Sequence, residues 1–354
     1  MKFGYYILNT YVPELDGAAA DVYSRYFAQI EAAEAVGFDA VWATEHHFRY
    51  FGGLTPNPQM LLTAISHRTR RLRLGSSVSI LPLHQPLRIA EDFAMLDVLS
   101  GGRLEFGAGR GMMHSGYRGF GLGWDDAQEH MKEAVTLIDR AWTQQAATYT
   151  GQYYQAHEVT VLPRPLQQPR PPIWVTANVD PESFRWVGEQ GYDLMTLPWL
   201  FPPDATAARI QLYHDARAAA GHPGRGRVLA MYPAHVAPTA AQARAQAEPA
   251  WANWRGFIMQ ELADVPGRAE AAAQRERMLQ WDNMLAEHRL IGGDVEQCVA
   301  TVRWLAETFG ITDLGLTFHF GGLDHAAGLR AVELWGREVA PAVHAALSSL
   351  NTAR

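Results

Sequence analysis

The chain has 354 residues, of which 48% are hydrophobic and 19% charged, so it can bury a large core and is not disordered throughout. The 30 Lys and Arg residues against 37 Asp and Glu residues give a net charge of −7, which argues against a nucleic-acid-binding protein. A single cysteine, Cys298, excludes an internal disulfide, a cysteine-based zinc site and an iron–sulfur cluster.

The same features predict where the protein resides. One cysteine suits a reducing cytoplasm, where we expect the protein to be located. The N-terminal sequence MKFGYYILNTYVPEL lacks a small-residue cleavage site, so we do not expect a signal peptide. No window approaches 18 consecutive apolar residues, and we expect no transmembrane helix.

Strand and helix patterns alternate along the first half of the chain. Lys2 to Leu8 is a short apolar run that predicts a buried strand, and apolar residues from Asp21 to Val36 recur at helical spacing. The elements predicted next are strand 40–43, helix 58–68, strand 71–81, helix 86–99, strand 103–108 and helix 125–142. This order is typical of parallel βαβ units.

The second half continues the alternation. A short hairpin and a proline-rich loop are expected within 147–171, followed by strand 172–176, helix 181–190, strand 193–197, helix 204–220, strand 227–236, helix 294–309, strand 313–318 and helix 323–347. Eight strands with intervening helices favour an α/β fold of the TIM (β/α)8 barrel type over a doubly wound sheet of five or six strands. We therefore predict a single domain over residues 1–354.

A long segment separates the seventh and eighth predicted strands. Thr239 to Gly293 spans about 55 residues, far more than one crossover helix needs. The segment is rich in large apolar side chains, including Trp251 and Trp254. We expect a helical insertion that acts as a lid.

Chemically distinctive residues follow four of the predicted strands, where the active site of a barrel lies. They are Glu45, His46 and His47 after the second strand, Ser77 and Val78 on the third, Arg110 among glycines after the fourth, and Trp199 after the sixth. Arg110 suits a phosphate, because a guanidinium forms two hydrogen bonds with it and glycines allow a close approach.

These residues also allow other interpretations. Glu45, His46 and His47 could bind a metal together with His84 or His114. Neighbouring histidines on a strand point to opposite faces and rarely bind the same metal, so we expect no metal site. The sequence leaves open a structural role for His46 and His47 as a hydrogen-bonded pair. The glycines at 107, 109 and 111 lack the spacing of a dinucleotide-binding fingerprint, and no G-x-S-x-G motif supports a hydrolase.

Several motifs in order along the chain resemble the bacterial luciferase family. The matching segments are MKFG at 1–4, GFDAVW at 37–42, EHHF at 45–48, LPLHQPLR at 81–88, AED at 90–92, LD at 96–97, SGGR at 100–103, FG at 106–107 and RG at 110–111. The similarity is close from the first strand through the fourth helix. It resumes over 173–199 and 292–341, whereas the central insertion matches poorly.

The resemblance implies a flavin-dependent monooxygenase on a TIM barrel. Reduced FMN (FMNH2) would come from a separate flavin reductase and react with O2 to a C4a-peroxyflavin, which oxygenates a small, largely apolar organic substrate. It also implies a homodimer. Light emission is not implied, because the region around Trp199 departs from the light-emitting members.

Site residues are carried over by position. His46 resembles the catalytic histidine beside the flavin, and a pKa near neutrality would let it control a proton. Arg110 resembles the arginine that holds the FMN phosphate, with Asn178 and Ser183 near a helix start that can bind phosphate. Ser77–Val78 falls where the family has a non-prolyl cis peptide under the flavin ring. His47 and Trp199 are expected in the substrate pocket.

The sequence departs from the family pattern at one phosphate-binding position, and two alternative functions stay open. Gln128 stands where luciferases have a second phosphate-binding arginine, so another residue such as Arg118 would have to supply that contact. An oxidoreductase that uses the deazaflavin F420 on the same barrel is one alternative. A non-catalytic flavin-binding subunit is the other, and the presence of His46 and Arg110 argues against it.

Overall fold

Eight parallel strands close into a barrel in the computed structural model, which describes residues 1–8, 10–263 and 272–352. The strands are β1 (Lys2–Ile7), β2 (Ala40–Ala43), β3 (Arg73–Ser76), β4 (Leu104–Gly109), β5 (Ile173–Thr176), β6 (Asp193–Thr196), β7 (Val228–Val236) and β8 (Asp313–Thr317). Each strand pairs with the next, and β8 returns to β1 with Leu314 beside Phe3. The predicted TIM barrel is confirmed.

Helices surround the barrel and connect its strands. The α-helices are Pro13–Asp16, Ala19–Ala35, Pro58–Arg68, Pro86–Leu99, His114–Phe120, Ala127–Thr143, Pro181–Glu189, Pro203–Ala219, Ala240–Ala263, Ala272–Met278, Trp281–Ala286, Val295–Phe309, His325–Leu334 and Ala340–Thr352. A π-turn, Trp335–Val339, joins the last two, and 3₁₀ turns occupy Leu81–Leu83 and Pro198–Leu200. No helix among the described residues is long and apolar enough to cross a membrane.

Large side chains and an ionic network fill the barrel interior and its amino-terminal end. Trp42 packs edge-on against Trp174, and a Cβ atom at Gly75 would lie 2.0 Å from the Trp42 ring. Below this layer Glu105 accepts hydrogen bonds from Arg73, Arg227 and the Trp174 indole, and Arg227 also pairs with Asp313. These paired charges close the amino-terminal end, and the active sites of TIM barrels lie at the opposite end, where the strands finish.

Three elements differ from the sequence prediction. The continuous strand expected over Arg71 to Leu81 breaks at a cis peptide between Ser77 and Val78, as the motif predicted, and resumes at Ser79–Ile80 beside β4. Helix His114–Phe120 was not predicted, because its two glycines weaken the helical pattern. Strand Ile291–Gly293, which pairs in parallel with the end of β7, was not predicted either, because it is glycine-rich and carries little strand signal.

The predicted insertion forms helices that return to the barrel. Helix Ala240–Ala263 and the two short helices after it precede Ile291–Gly293, where the chain pairs with the end of β7. Residues 264–271 of the insertion lie outside the described residues. Trp251 and Trp254 of the first helix are fully buried against the barrel mouth. Lid motion stays a prediction.

Candidate active site

The carboxyl ends of the strands gather the predicted site residues at one mouth. Glu45, His46 and His47 follow β2, Ser77 and Val78 follow β3, Arg110 follows β4, Asn178 follows β5 and Trp199 follows β6. Backbone contacts join these loops, because the Ser77 amide donates to Ala43 of β2 at 2.7 Å.

Glu45 is the centre of a buried hydrogen-bond network. The Nε2 atoms of His47 and His84 donate to its Oε1 at 2.8 and 2.6 Å, and the Ile80 amide donates to Oε2 at 2.9 Å. Burial alone would raise the pKa of Glu45, but these donors outweigh it and hold the pKa below its usual range. In return Glu45 raises the pKa of His84 against the effect of burial. The carboxylate therefore ties the loop after β2 to the loop after β3.

His46 lies apart from that network and is held by packing. Its ring meets Phe51 edge-on at 5.5 Å, and its backbone amide donates to the Thr55 carbonyl at 3.2 Å. A Cβ atom at Gly52 would lie 2.5 Å from the ring, so only glycine, with φ at +71°, fits there. Burial, followed by the neighbouring His47, lowers the pKa of His46 to about 4. The expectation of a pKa near neutrality is wrong, because this pocket removes the imidazole from water and keeps it uncharged at pH 7.

Ser77 and Val78 form the floor of the mouth between β3 and β4. The cis peptide joins them, and the Ser77 hydroxyl lies 3.2 Å from the Met195 sulfur. Val78 packs so closely on β4 that a Cβ atom at Gly109 would lie 2.6 Å from it. The glycines of β4 are thus required by barrel packing, in addition to any approach by a ligand.

Arg110 stands at the end of β4 beside an aromatic cluster. Its guanidinium lies 4.5 Å from the centre of the Trp124 ring, and His114 stacks on the same indole at 4.1 Å. The Tyr117 hydroxyl donates to the Arg110 carbonyl at 2.5 Å. These contacts hold a half-buried cation at the mouth, in a position suited to a phosphate group.

Asn178 and Ser183 have structural partners of their own. Asn178 Oδ1 accepts from the Leu197 amide at 2.8 Å and the Thr196 hydroxyl at 3.2 Å, which fixes the loop after β6. Asp180 caps the following helix and accepts from the Glu182 amide, the Ser183 amide and the Ser183 hydroxyl. This carboxylate already occupies the helix N-terminus and would repel a phosphate there, so the geometry does not favour Ser183 as its ligand.

Trp199 belongs to an aromatic cluster built with the insertion. Its ring lies 5.5 Å from Trp254 and 6.2 Å from Trp251, and Trp254 stacks on Phe320 and Phe51. Trp251 donates its indole N–H to the Leu279 carbonyl at 2.7 Å, whereas the buried Trp254 indole N–H has no hydrogen-bond partner among the described residues. Through Phe51 this cluster touches His46, so Trp199 and His46 share one apolar wall.

Two cavities open beside Phe48 and Arg49, which line both. The larger, of about 490 Å³, lies between the loop after β2 and helix Ala240–Ala263, and Phe51 forms part of its wall. The smaller, of about 320 Å³, reaches Ser115 and Arg118. His47 is not a lining residue of either cavity: it faces Glu45 and packs on Phe120.

Sequence reasoning missed several residues that shape the mouth. From the sequence, Glu45 and His84 were considered only as candidate metal ligands, and no role was assigned to Phe51 or Trp124. The signal available for His84 was its place in the LPLHQPLR segment, after the third strand. The partners of Phe51 and Trp124 are distant along the chain, and no local pattern marks them.

Comparison with known proteins places the chain among flavin-type oxygenases. The family model described as luciferase-like monooxygenase matches residues 1–312. A 4-hydroxyprotoasukamycin monooxygenase of Streptomyces nodosus subsp. asukaensis is 27% identical over 334 residues, or 91% of this chain and 87% of that protein. The oxygenase component of a flavin-dependent trigonelline monooxygenase from Acinetobacter baylyi is 31% identical over 50% of this chain. The chain spans about half the length of this relative (49%) and of the protein y4wF of Sinorhizobium fredii (52%).

Solved structures agree over nearly the whole barrel. Monooxygenase RslO1 from Streptomyces bottropensis superimposes with a TM-score of 0.86 at 26% identity, covering 96% of this chain and 99% of that one. The oxygenating constituent of 3,6-diketocamphane monooxygenase from Pseudomonas putida, solved with FMN, gives 0.81 at 20% identity over 97% and 98%. An F420-dependent secondary alcohol dehydrogenase gives 0.75 at 18% identity over 97% and 98%, so it shares the fold. The family model matches most of the chain, and the chain forms the same closed barrel as these structures. The chain therefore belongs to the luciferase-like monooxygenase family.

Proposed function

We propose that the chain is the oxygenase component of a two-component, FMNH2- and O2-dependent monooxygenase that acts on a small, largely apolar organic substrate. The observation that carries the proposal is the mouth itself, where an uncharged His46 with its aromatic wall and the Arg110 cation each follow a strand at its carboxyl end. The name of the Acinetobacter relative, an oxygenase component, supports a separate flavin reductase as partner. A cytoplasmic homodimer is part of the same proposal.

The residues of the mouth fit reduced FMN. Arg110 offers a cation for the phosphate, and Ser115, on the helix that follows it, has a buried hydroxyl without a hydrogen-bond partner among the described residues. Val78 and Ser77 offer a small, flat floor between β3 and β4. Asn178 would position the neighbouring loop, whereas Ser183 would contact phosphate only if Asp180 released it. When bound, reduced FMN supplies the electrons that activate O2.

The chain's own residues prepare the site for that chemistry. Phe51, Trp199 and Trp254 exclude water from the side of the mouth that faces His46. Because the His46 imidazole is uncharged at pH 7, it accepts a proton or donates its ring N–H, and it does not act as a cationic acid. Glu45 holds the two loops that carry His46 and the Ser77–Val78 floor in register.

Cofactor binding tests the proposal. Arg110→Ala removes a charge-assisted contact, which we expect to weaken FMN binding by about 10- to 150-fold, corresponding to 1.5–3 kcal/mol. Riboflavin has no phosphate and should bind the parent and the variant equally well. Flavin fluorescence titration measures both. Equal FMN affinity in the two proteins would contradict the phosphate assignment.

An F420-dependent oxidoreductase is the second candidate, since a dehydrogenase of that type shares the fold. Parallel titrations with reduced FMN and reduced F420 distinguish the two. Preference for FMN, together with incorporation of oxygen from ¹⁸O₂ into product, supports the monooxygenase. Preference for F420 without oxygen uptake would overturn it.

A further inference from the structure

The larger cavity at the mouth has a distinctive lining. Five aromatic rings border its 490 Å³: Tyr11, Phe48, Tyr50, Phe51 and Phe257. Its volume lies in the range of small-molecule sites, about 300–1,000 Å³. The other lining residues are Arg49, Gly53, Leu54 and Gln260. Aromatic rings therefore make up five of the nine lining residues, and Leu54 is the only large aliphatic side chain among them.

Two of these rings are exposed at the rim. Phe48 and Tyr50 are 62% and 58% exposed, although neither is needed to cover the barrel core. Phe48 also holds a φ of 61°, a left-handed conformation that a bulky side chain rarely adopts. Strained backbone of this kind is found at ligand-binding sites, where the surrounding structure maintains it.

The floor of the cavity leads to the proposed reaction site. Phe51 meets the His46 ring at 5.5 Å and 86°, and stacks on Trp254 at 6.1 Å and 17°. A bridge between Thr10 and Phe51 fixes this part of the loop. A molecule in the cavity would therefore lie one aromatic ring away from His46.

We propose that this cavity binds the substrate and selects flat aromatic molecules over linear chains of the same size. The proposal rests on the proposed function, because it assigns a substrate class to that same site. Aromatic rings attract one another in edge-on and offset-stacked geometries beyond what their buried area provides. The loops after β1 and β2 and helix Ala240–Ala263 each contribute such rings to the lining of the cavity. An aliphatic chain gains nothing from this arrangement except area.

A matched pair of ligands tests the selectivity. 4-Ethylphenol and 1-octanol have the same number of carbon atoms and one hydroxyl each. Octanol is the more apolar, so unspecific association would favour it. We expect 4-ethylphenol to bind the purified full-length protein at least about tenfold more tightly, as measured by calorimetry or saturation-transfer NMR. Equal binding, or preference for octanol, would overturn the proposal.

Variants then locate the site. Tyr50→Leu and Phe257→Leu keep an apolar surface but remove a lining ring, and each should reduce the preference for 4-ethylphenol to about threefold or less. Phe120→Leu is the matched control, because Phe120 is an exposed ring that contacts Phe48 but is not among the lining residues. A preference that survives both lining variants, or is lost in the control, would refute the assignment.

The test of aromatic selectivity can fail independently of the proposed binding of FMN. FMN titration of the same proteins reports the proposed function, and neither Tyr50 nor Phe257 is placed in the flavin site. FMN binding without aromatic selectivity would reject the substrate class alone. Aromatic selectivity without binding of FMN would reject the proposed cofactor and leave the cavity as an aromatic-binding site.

Discussion

Replacement of Glu45 by glutamine tests the network that joins the mouth loops. The substitution keeps the shape of the side chain but removes its charge and turns one acceptor into a donor. In the parent, Oε1 accepts from His47 and His84 and Oε2 accepts from the Ile80 amide. An NH2 group turned toward Ile80 would face the backbone donor, and one turned toward His47 and His84 would require both rings to be neutral and to carry their proton on Nδ1.

The contacts set the size of the effect. Hydrogen bonds to a charged group contribute about 1.5–3 kcal/mol each, and removing one partner of a buried ion pair costs about 3–5 kcal/mol. The side chain of Glu45 is buried and that of His84 is 26% exposed, so we expect a loss of about 3 kcal/mol. At roughly 2 °C per kcal/mol for a chain of this size, the melting temperature should fall by roughly 6 °C.

The pH dependence gives the sharper signature. Because the pKa of Glu45 is lowered in the folded protein, this group stabilises the fold at pH values above its pKa in the unfolded chain. That stabilisation is lost as the pH falls through the folded pKa. The raised pKa of His84 contributes stability below pH 6.5, which is lost as pH rises through its folded pKa. The difference between parent and Glu45→Gln should therefore be largest between about pH 5 and 6.5 and shrink on both sides.

Thermal unfolding followed by circular dichroism from pH 4.5 to 9 measures this profile. Glu248→Gln is the control, since its pair with Arg244 lies on the surface and should change stability by less than about 0.5 kcal/mol. Melting curves of Glu45→Gln that match the parent within 1 °C across the range would refute the reasoning.

Four further predictions concern His46, the tryptophans of the insertion and the barrel base. His46→Ala should lower product formation by about 10²–10⁴ and raise the ratio of H2O2 released to product formed, with FMN affinity little changed; unchanged coupling would leave His46 a structural role. With its pKa near 4, His46 should add no inflection to the pH–rate profile between pH 6 and 8, and an inflection that disappears in His46→Ala would contradict this. Trp251→Phe should destabilise the fold by about 1 kcal/mol, because it removes the N–H that bonds the Leu279 carbonyl. Trp254→Phe should cost less, because it removes a buried donor without a partner among the described residues. Denaturant unfolding compares the two variants, and a larger loss for Trp254→Phe would contradict this explanation. Glu105→Gln should destabilise by about 3–5 kcal/mol in the same assay, because it leaves Arg227 and its neighbours partly unpaired at the barrel base; a loss below 1 kcal/mol would show that water replaces the carboxylate.

Much of the fold was predictable because its signals are local. Buried parallel strands appear as short apolar runs, and helices such as Pro58–Arg68 and Pro86–Leu99 begin at a proline that their first turn tolerates. The order of these elements then leaves few topologies, since parallel neighbours require crossover helices. The positions of His46, Arg110 and the Ser77–Val78 peptide were likewise predictable, because motifs are read along the chain.

The chemical state of those residues depends on contacts between distant segments. The low pKa of His46 arises because Phe51 and Gly52 enclose its ring, which the motif alone does not show. Asp180 caps the N-terminus of helix Pro181–Glu189, where the sequence had suggested a phosphate-binding site. The aromatic cavity joins Phe51 to Phe257 across about 200 residues of chain. Sequence periodicity determined which elements form. Burial and long-range packing decided which groups stay uncharged and which are already paired, because desolvation is a property of the assembled environment.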